Sequence, residues 1–291
     1  MIDILFIMLE STLRRSTPLI FGSLGATYSE RSGVVNIGLE GIMLVGGFVS
    51  IVGTNAFGPF TGICLAVLAG LGMALLHAVA TVSFKVDQIV SGVAINLLGM
   101  GITAFIPEAI FGTAGIKTAY HAPILLGFTP LVFLAIALVA VSQLLLFRTV
   151  FGLRLRSVGE NPQSADTLGV NVIMMRYVGV LISGGLAALG GAYLALEQSA
   201  AFTKGMVAGR GFIALAAMIF GSWTPVGALF ASLLFGFAES LQAIIQSFGY
   251  TIPPQFIQLL PYALTIVVLV LAVRHARPPE ADGKPYDRSG S

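Results

Sequence analysis

One cysteine, one tryptophan and three histidines occur in 291 residues, and only 10% of the residues are Asp, Glu, Lys or Arg. Each scarcity excludes something. A lone Cys64 cannot form an intrachain disulfide. His77, His121 and His275 stand far apart in the chain, so no metal-ligand spacing is present. None of the four lysines lies in a Gly-x-x-x-x-Gly-Lys-Ser/Thr loop, which leaves no phosphate cradle for ATP. The acids are single and scattered, and no Ser or Cys is set beside a base, so enzymatic chemistry has no candidate cluster. The first residues carry Asp3 and Glu10 where a signal peptide would have a basic start and an apolar core. The first helix is therefore expected to stay attached.

What the chain has in excess is apolar residues, 56% of the total with a mean hydropathy of +0.95. That composition describes an all-α polytopic membrane protein. Apolar runs near 34–52, 62–84, 89–110, 124–147, 172–196, 226–248 and 257–273 approach the ~20 residues that cross a bilayer core. Two further stretches, 17–28 and 212–220, are short enough to be tilted, broken or re-entrant. Together they predict about 8–10 membrane segments over residues 1–273. The Pro-, Gly- and charge-rich tail 274–291 is expected to be disordered.

The few charges are unevenly placed. No Asp, Glu, Lys or Arg occurs from Thr118 to Phe147, and Glu197 is the only one between Tyr177 and Thr203. Between them lies a polar island, Arg148 to Arg176, carrying Arg148, Arg154, Arg156 and Arg176, and a second basic group follows residue 273. Cytoplasmic loops collect Lys and Arg, which predicts that the island and the C-terminus share the cytoplasmic side. An even number of spans must then separate them, and four fit: 177–197, 205–221, 225–248 and 256–273. Counting backward puts Lys85 and Arg31 on the same side and 54–60 and 112–122 outside. The N-terminus is left ambiguous, because Arg14 and Arg15 oppose the outward placement that this count assigns to them.

Inside the island Asn161 is suited to cap a helix, Pro162 to open it and Gly169 to follow its end. The spacing predicts a helix over 162–168, about 10 Å long at 1.5 Å per residue. Such a helix is marginal alone and needs something to dock on. It is either an ordinary amphipathic connector or a lever pushed by a cytoplasmic partner.

Polar residues within apolar runs are costly and mark either a pathway or a clamp between helices. Glu40 is the only charged residue from Ser32 to Phe84, and Asn36, four residues earlier, is expected on the same helical face. Asn96 and Glu239 are the other substrate-pathway candidates, each with a packing alternative; for Glu239 that alternative is Ser240 or Gln242. His77 is expected to pack.

Gly152 to Asn171 resembles the cytoplasmic coupling loop of permeases in the simple-sugar and nucleoside branch of bacterial ABC importers. Ser29 to Met43 and Ala208 to Ala216 are similar to that family's N-terminal and C-terminal motifs, and the resemblance runs from about residue 11 to 273. It implies a permease subunit that docks an ABC ATPase subunit, works with a second permease, a related chain or a copy, and receives solute from an extracytoplasmic binding protein. ATP and Mg would be bound by the partner ATPase, with no cofactor on this chain. The resemblance assigns the ATPase-coupling surface to Arg154, Arg156, Gly159, Glu160, Asn161, Pro162, Ala165, Asp166 and Gly169. It implies a multi-pass protein of the bacterial inner membrane among lipids, with no nucleic-acid partner. The segment around Glu30 to Gly41 is more similar to nucleoside-type permeases than to ribose- or galactose-type ones. By residue chemistry alone, an ion-coupled secondary transporter remains the rival, since Glu40 or Glu239 is able to carry a proton.

Overall fold

Proline and short polar side chains set the helix boundaries that apolar runs leave open. The computed structural model describes residues 2–113, 115–247 and 277–287. Its helices are α1 (Ile2–Arg31), α2 (Leu39–Phe57), α3 (Pro59–Ala78, continuing as a π turn, Val79–Ser83) and α4 (Gln88–Phe111). After strand β1 (Gly115–Lys117) come α5 (Pro130–Arg148), α6 (Val150–Glu160), α7 (Pro162–Thr167) and α8 (Val172–Tyr193, with a π turn over Leu194–Gln198). Strand β2 (Ala201–Thr203), α9 (Arg210–Phe220) and α10 (Pro225–Ser247) follow. Asp87 caps α4, its carboxylate accepting from the Ile89 and Val90 N–H groups at 2.9 Å. Pro59 and Pro130 open α3 and α5, where a missing N–H has no partner to lose.

The chain is an all-α polytopic membrane protein. Among the described residues six helices are long and apolar enough to cross a bilayer: α2, α3 and α8 with their π turns, α4, α5 and α10. The short stretch 17–28 turns out to be part of the 30-residue α1. Every residue of α1 from Ser16 to Glu30 is buried. Its hydroxyls return to the helix's own carbonyls, Ser16 to Thr12 at 2.7 Å and Thr27 to Ser23 at 2.8 Å, so a polar helix can sit at the centre of the bundle. The expected final span, 257–273, lies outside the described residues.

Helices α1, α2 and α8 form the middle of the bundle, with α3 against α2 and α8, α4 against α2, α5 against α1 and α10 against α1. The window of α2 that would cross the membrane is 78% buried, against 33% for α3, α4, α5 and α10, whose outer faces are apolar. Crossing at this density needs missing side chains. A Cβ on Gly99 of α4 would come within 2.6 Å of the Gly41 carbonyl oxygen of α2, so those backbones touch.

Among the described residues two segments leave helical geometry inside the bundle, and several buried polar side chains serve them. Residues 32–38 are an irregular loop between α1 and α2 in which Val34 and Asn36 are fully buried. Gln88 accepts from the Val35 N–H at 2.6 Å, His77 contacts the Val35 carbonyl at 3.0 Å, and Asn96 donates to the Ile37 carbonyl at 3.0 Å while accepting from the Gly41 N–H at 2.8 Å. Asn36 accepts from the Gly38 N–H and donates to Ser183 Oγ at 3.0 Å. Glu40 is therefore in the first turn of α2, not deep along a helix, and Asn36 precedes that helix instead of sharing its face. The second segment is the start of α9, only 11 residues and about 16 Å long, about half a bilayer. The Glu40 carboxylate accepts from the Gly209 N–H at 2.8 Å and the Gly211 N–H at 2.7 Å, closing that helix start.

One end of the bundle gathers Arg31, Lys85, Glu160 and Trp223: Arg31 Nε donates to the Trp223 carbonyl at 2.8 Å and lies 3.7 Å from Glu160. The other end holds the β1–β2 ribbon, antiparallel with Ile116 opposite Phe202. There Asn55 donates to the Lys117 carbonyl at 3.0 Å. Arg14 belongs to this second end, donating to the Gly127 carbonyl at 2.9 Å and pairing with Glu10 at 2.7 Å, which accommodates it away from the island. The tail expected to be disordered is instead packed over 277–287 against the island end. Ala281 is 6% exposed and its N–H donates to the Gly159 carbonyl at 2.9 Å.

Replacing Glu40 by Leu leaves two buried N–H groups without an acceptor, each worth about 1–3 kcal/mol. The detergent-solubilised Glu40→Leu protein is expected to lose several degrees of thermal midpoint, and Glu40→Gln, which keeps one acceptor, about half of that loss. An unchanged midpoint for Glu40→Leu would sink the capping role.

Candidate functional site

The island begins where α5 runs out of apolar residues. Thr149 caps α6 by accepting from the Gly152 N–H at 3.2 Å, and α6 lies with one face inward: Gly152, Leu155, Val158 and Gly159 are buried. Asn161 ends α6 and caps α7, its side-chain oxygen accepting from the Ser164 N–H at 2.9 Å, with Pro162 in the first position. Helix α7 stops at Thr167, one residue earlier than the spacing predicts, and Gly169 follows at φ +81°. Asn171 then starts α8 by accepting from the Met174 N–H at 2.9 Å. The island is thus α6, α7 and their joints, while Arg176, expected within it, lies in α8 and is 1% exposed.

The nine residues assigned to the coupling surface divide between surface and support. Arg154, Glu160, Asn161 and Gly169 are exposed, and Pro162 and Asp166 are partly so. Arg156 is half-buried with its guanidinium 4.7 Å from the centre of the Phe147 ring, a cation–π contact that pins α6 to α5. Gly159 is buried against the Arg31 carbonyl, with no room for a side chain, and Ala165 is 2% exposed among Val158 and Val172. Those three hold the surface in place instead of forming it. Sequence reasoning passed over further exposed residues near α7. Leu168 is 83% exposed just after α7, and Leu153 of α6 and Ile173 and Met174 of α8 are also exposed. Bare apolar side chains on an otherwise polar segment are what a protein partner covers.

The pathway candidates separate in the same way. Asn36, Glu40 and Asn96 have their polar atoms engaged within the bundle, on the loop 32–38 and the start of α9. Glu239 of α10 does not pair with Ser240 or Gln242; Arg210 lies 3.4 Å away and Arg15 3.8 Å away. These three side chains are 14%, 18% and 31% exposed, a partly open group of two cations and one anion on α1, α9 and α10. Sequence reasoning named Glu239 but not its partners, which are remote in the chain. Among the described residues no cluster of three or more His, Cys, Asp or Glu is placed to hold a metal.

Residues 8–269 match the family described as branched-chain amino acid transport system / permease component. The guanosine ABC transporter permease protein NupQ of Bacillus subtilis is 44% identical, over 98% of each chain. The nucleoside ABC transporter permease protein NupC of Lactococcus lactis is 43% identical over 99% of each. The putative glucose ABC transporter permease protein TsgC13 of Haloferax volcanii is 36% identical over 91% of each. No solved structure matches the chain. Apolar helices crossing a bilayer, a projecting α6–α7 island and a family match over nearly its whole length make this chain a member of the permease-component family of transport systems.

Proposed function

We propose that this chain is the permease subunit of an ATP-driven importer that takes up nucleosides. The observation that carries the reading is the 43–44% identity, over almost the full length, to two permeases named for guanosine and nucleosides. A sugar is the second reading, supported by the 36% identity to a permease named for glucose. The α6–α7 projection would dock the ATPase subunit, with Leu168, Asp166 and Glu160 facing it and Ala165 and Gly159 bracing it from behind. ATP and Mg would be bound by that ATPase. A second permease, related or identical, would complete the pathway, and an extracytoplasmic binding protein would deliver the solute to the β1–β2 end. In this orientation the island and the C-terminal tail face the cytoplasm, as the basic residues at that end favour. The Arg15–Glu239–Arg210 group offers both hydrogen-bond donors and acceptors to a hydroxylated, uncharged solute.

Leu168→Asp alters an exposed side chain, so the fold should change by less than about 0.5 kcal/mol. If α7 docks the ATPase, this variant should lower guanosine-stimulated ATP hydrolysis of the reconstituted transporter about tenfold, the effect of losing one interface anchor. Stimulation equal to the parent's would remove α7 from the docking surface. Ala165→Pro deletes the N–H that donates to the Asn161 carbonyl at 3.0 Å and should abolish uptake by unmaking α7 itself.

For Glu239→Gln, normal assembly with a several-fold change in the guanosine KM is expected, because one neutral acceptor replaces the anion between two cations. A KM unchanged in Glu239→Gln and in Arg210→Gln would place the solute elsewhere. Uptake of labelled guanosine outcompeted by glucose, and not by other nucleosides, would favour the sugar reading.

A further inference from the structure

The segment following the last expected span is built to lie where it does. Pro278 and Pro279 stiffen its approach, the Asp282 N–H donates to the Pro279 carbonyl at 3.1 Å, and the Lys284 N–H donates to the Ala281 carbonyl at 3.2 Å. Gly283 takes φ +75°, which closes the turn. The turn enters a slot between the loop after α1 and the end of α6. The Ala281 carbonyl would lie 3.3 Å from a Cβ on Gly33, and the Ala281 N–H is bound to Gly159.

From that slot the segment reaches three elements. On α8, Arg176, buried in the bundle, donates to the Lys284 carbonyl at 2.9 Å and lies under the Tyr286 ring, 6.0 Å from its centre. Beyond the π turn of α3, Lys85 pairs with Asp287 at 3.0 Å. On α1, the Glu30 carboxyl lies close to Asp282. On the other side, Tyr286 packs on Val158, Ala165 and Val172, beside α7, and lines a cleft with Asp166, Gly169 and Met174. A buried arginine spent on a tail carbonyl is costly unless the tail remains there.

We propose that residues 279–287 form a strap that ties the α6–α7 island to the cytoplasmic ends of α1, α3 and α8, so that displacement of α7 is carried into those helices. This rests on the reading of α7 as the ATPase contact. The strap is a positioning element; it adds no group to solute or nucleotide.

Its hold depends on protonation. Burial strips water from the Asp282 carboxyl and pushes it from an ordinary value of 3.8 up to about 7. The groups facing it are Glu30 on α1, itself bonded by Trp223 Nε1–H, and Arg176 on α8, whose cation opposes the rise; Arg31 and Glu160 lie next to this set. Because the docked carboxyl binds its proton more tightly than a free one, docking is fully supported below pH 3.8 and loses that support as pH rises through about 7.

The test uses the transporter purified with its partner subunits, Cys64 replaced by Ser, and cysteines at Glu160 and Glu280, where the Glu280 N–H lies 3.5 Å from the Glu160 carboxylate. Normalised to the same cysteine pair in Asp282→Asn at each pH, which cancels the faster oxidation of thiolate at high pH, the rate of oxidative cross-linking is expected to be near one at pH 6 and several-fold lower at pH 8.5. Ala281→Trp should expel the strap and abolish the cross-link. In proteoliposomes, Ala281→Trp and deletion of 277–291 should leave the ATPase co-purifying and basal hydrolysis intact, while guanosine-stimulated hydrolysis and uptake fall about fivefold or more, as loss of one modest packing interaction implies. No cross-link in the parent, or full stimulation without the strap, overturns the proposal. Faster hydrolysis with uptake retained would make the segment a brake, and loss of the ATPase would make it part of the docking surface; either result also overturns it. If no ATPase co-purifies with the parent, the α7 reading fails and transmission with it, whereas loss of stimulation with the ATPase still bound separates failure of the strap from failure of docking.

Discussion

Everything in this bundle answers to one constraint: backbone that stops being helical at membrane depth must find hydrogen-bond partners within the protein. Among the described residues that regularity breaks inside the bundle in the loop 32–38 and at the start of the half-length α9. Both breaks fall in segments that resemble family motifs, and both are closed by side chains from other helices. Gln88, His77 and Asn96 serve the loop, and Glu40 serves α9. Each of these residues is polar in an apolar run for a reason of backbone satisfaction. An unpaired N–H there would cost more than the side chain does.

From those breaks the connection to the island is continuous. The far end of α9 leads to Trp223, whose indole donates to Glu30 and whose carbonyl accepts from Arg31. Arg31 in turn sits 3.7 Å from Glu160 at the end of α6. Motif, half-helix, α1 terminus and island therefore share one polar network, walled by Phe147 under the guanidinium of Arg156. A rigid link of this kind is what a projecting pair of short helices needs, since α7 has only six residues and no independent stability.

How much of this was legible in the sequence depended on the range of the interaction. Helix caps are local, so Asn161, Pro162 and Gly169 located α7 to within one residue, and apolar runs located α2, α3, α4, α5, α8 and α10. The polar α1 was seen only as a short piece, because its hydroxyls bond within their own helix and hydropathy counts them as solvent-seeking. Helix α6 was missed for another reason: Leu153-Arg154-Leu155-Arg156 alternates apolar and charged residues, and the exposed Val150 and Leu153 blur the buried face of Gly152, Leu155, Val158 and Gly159. Asn36, Glu40, Asn96 and Glu239 stand out in the sequence as polar residues in apolar runs, yet their partners lie up to 171 residues away. Spacing along the chain carries nothing about such pairs.

The tail shows the same limit most sharply. Its composition is that of a disordered segment, and by averages alone Pro, Gly and charge argue against order. Order at 279–283 comes instead from position-specific fit: Pro279 before the turn, Ala281 small enough for the slot beside Gly33 and Gly159, and Gly283 free to take a positive φ. Each is unremarkable alone, and together they describe a turn with a receptor. The receptor is made by residues from α1, α6 and α8, so it exists only after the bundle has formed. A segment recognised by the finished fold can be folded without being hydrophobic, because Arg176 and the Gly159 carbonyl supply directional bonds where bulk burial is missing.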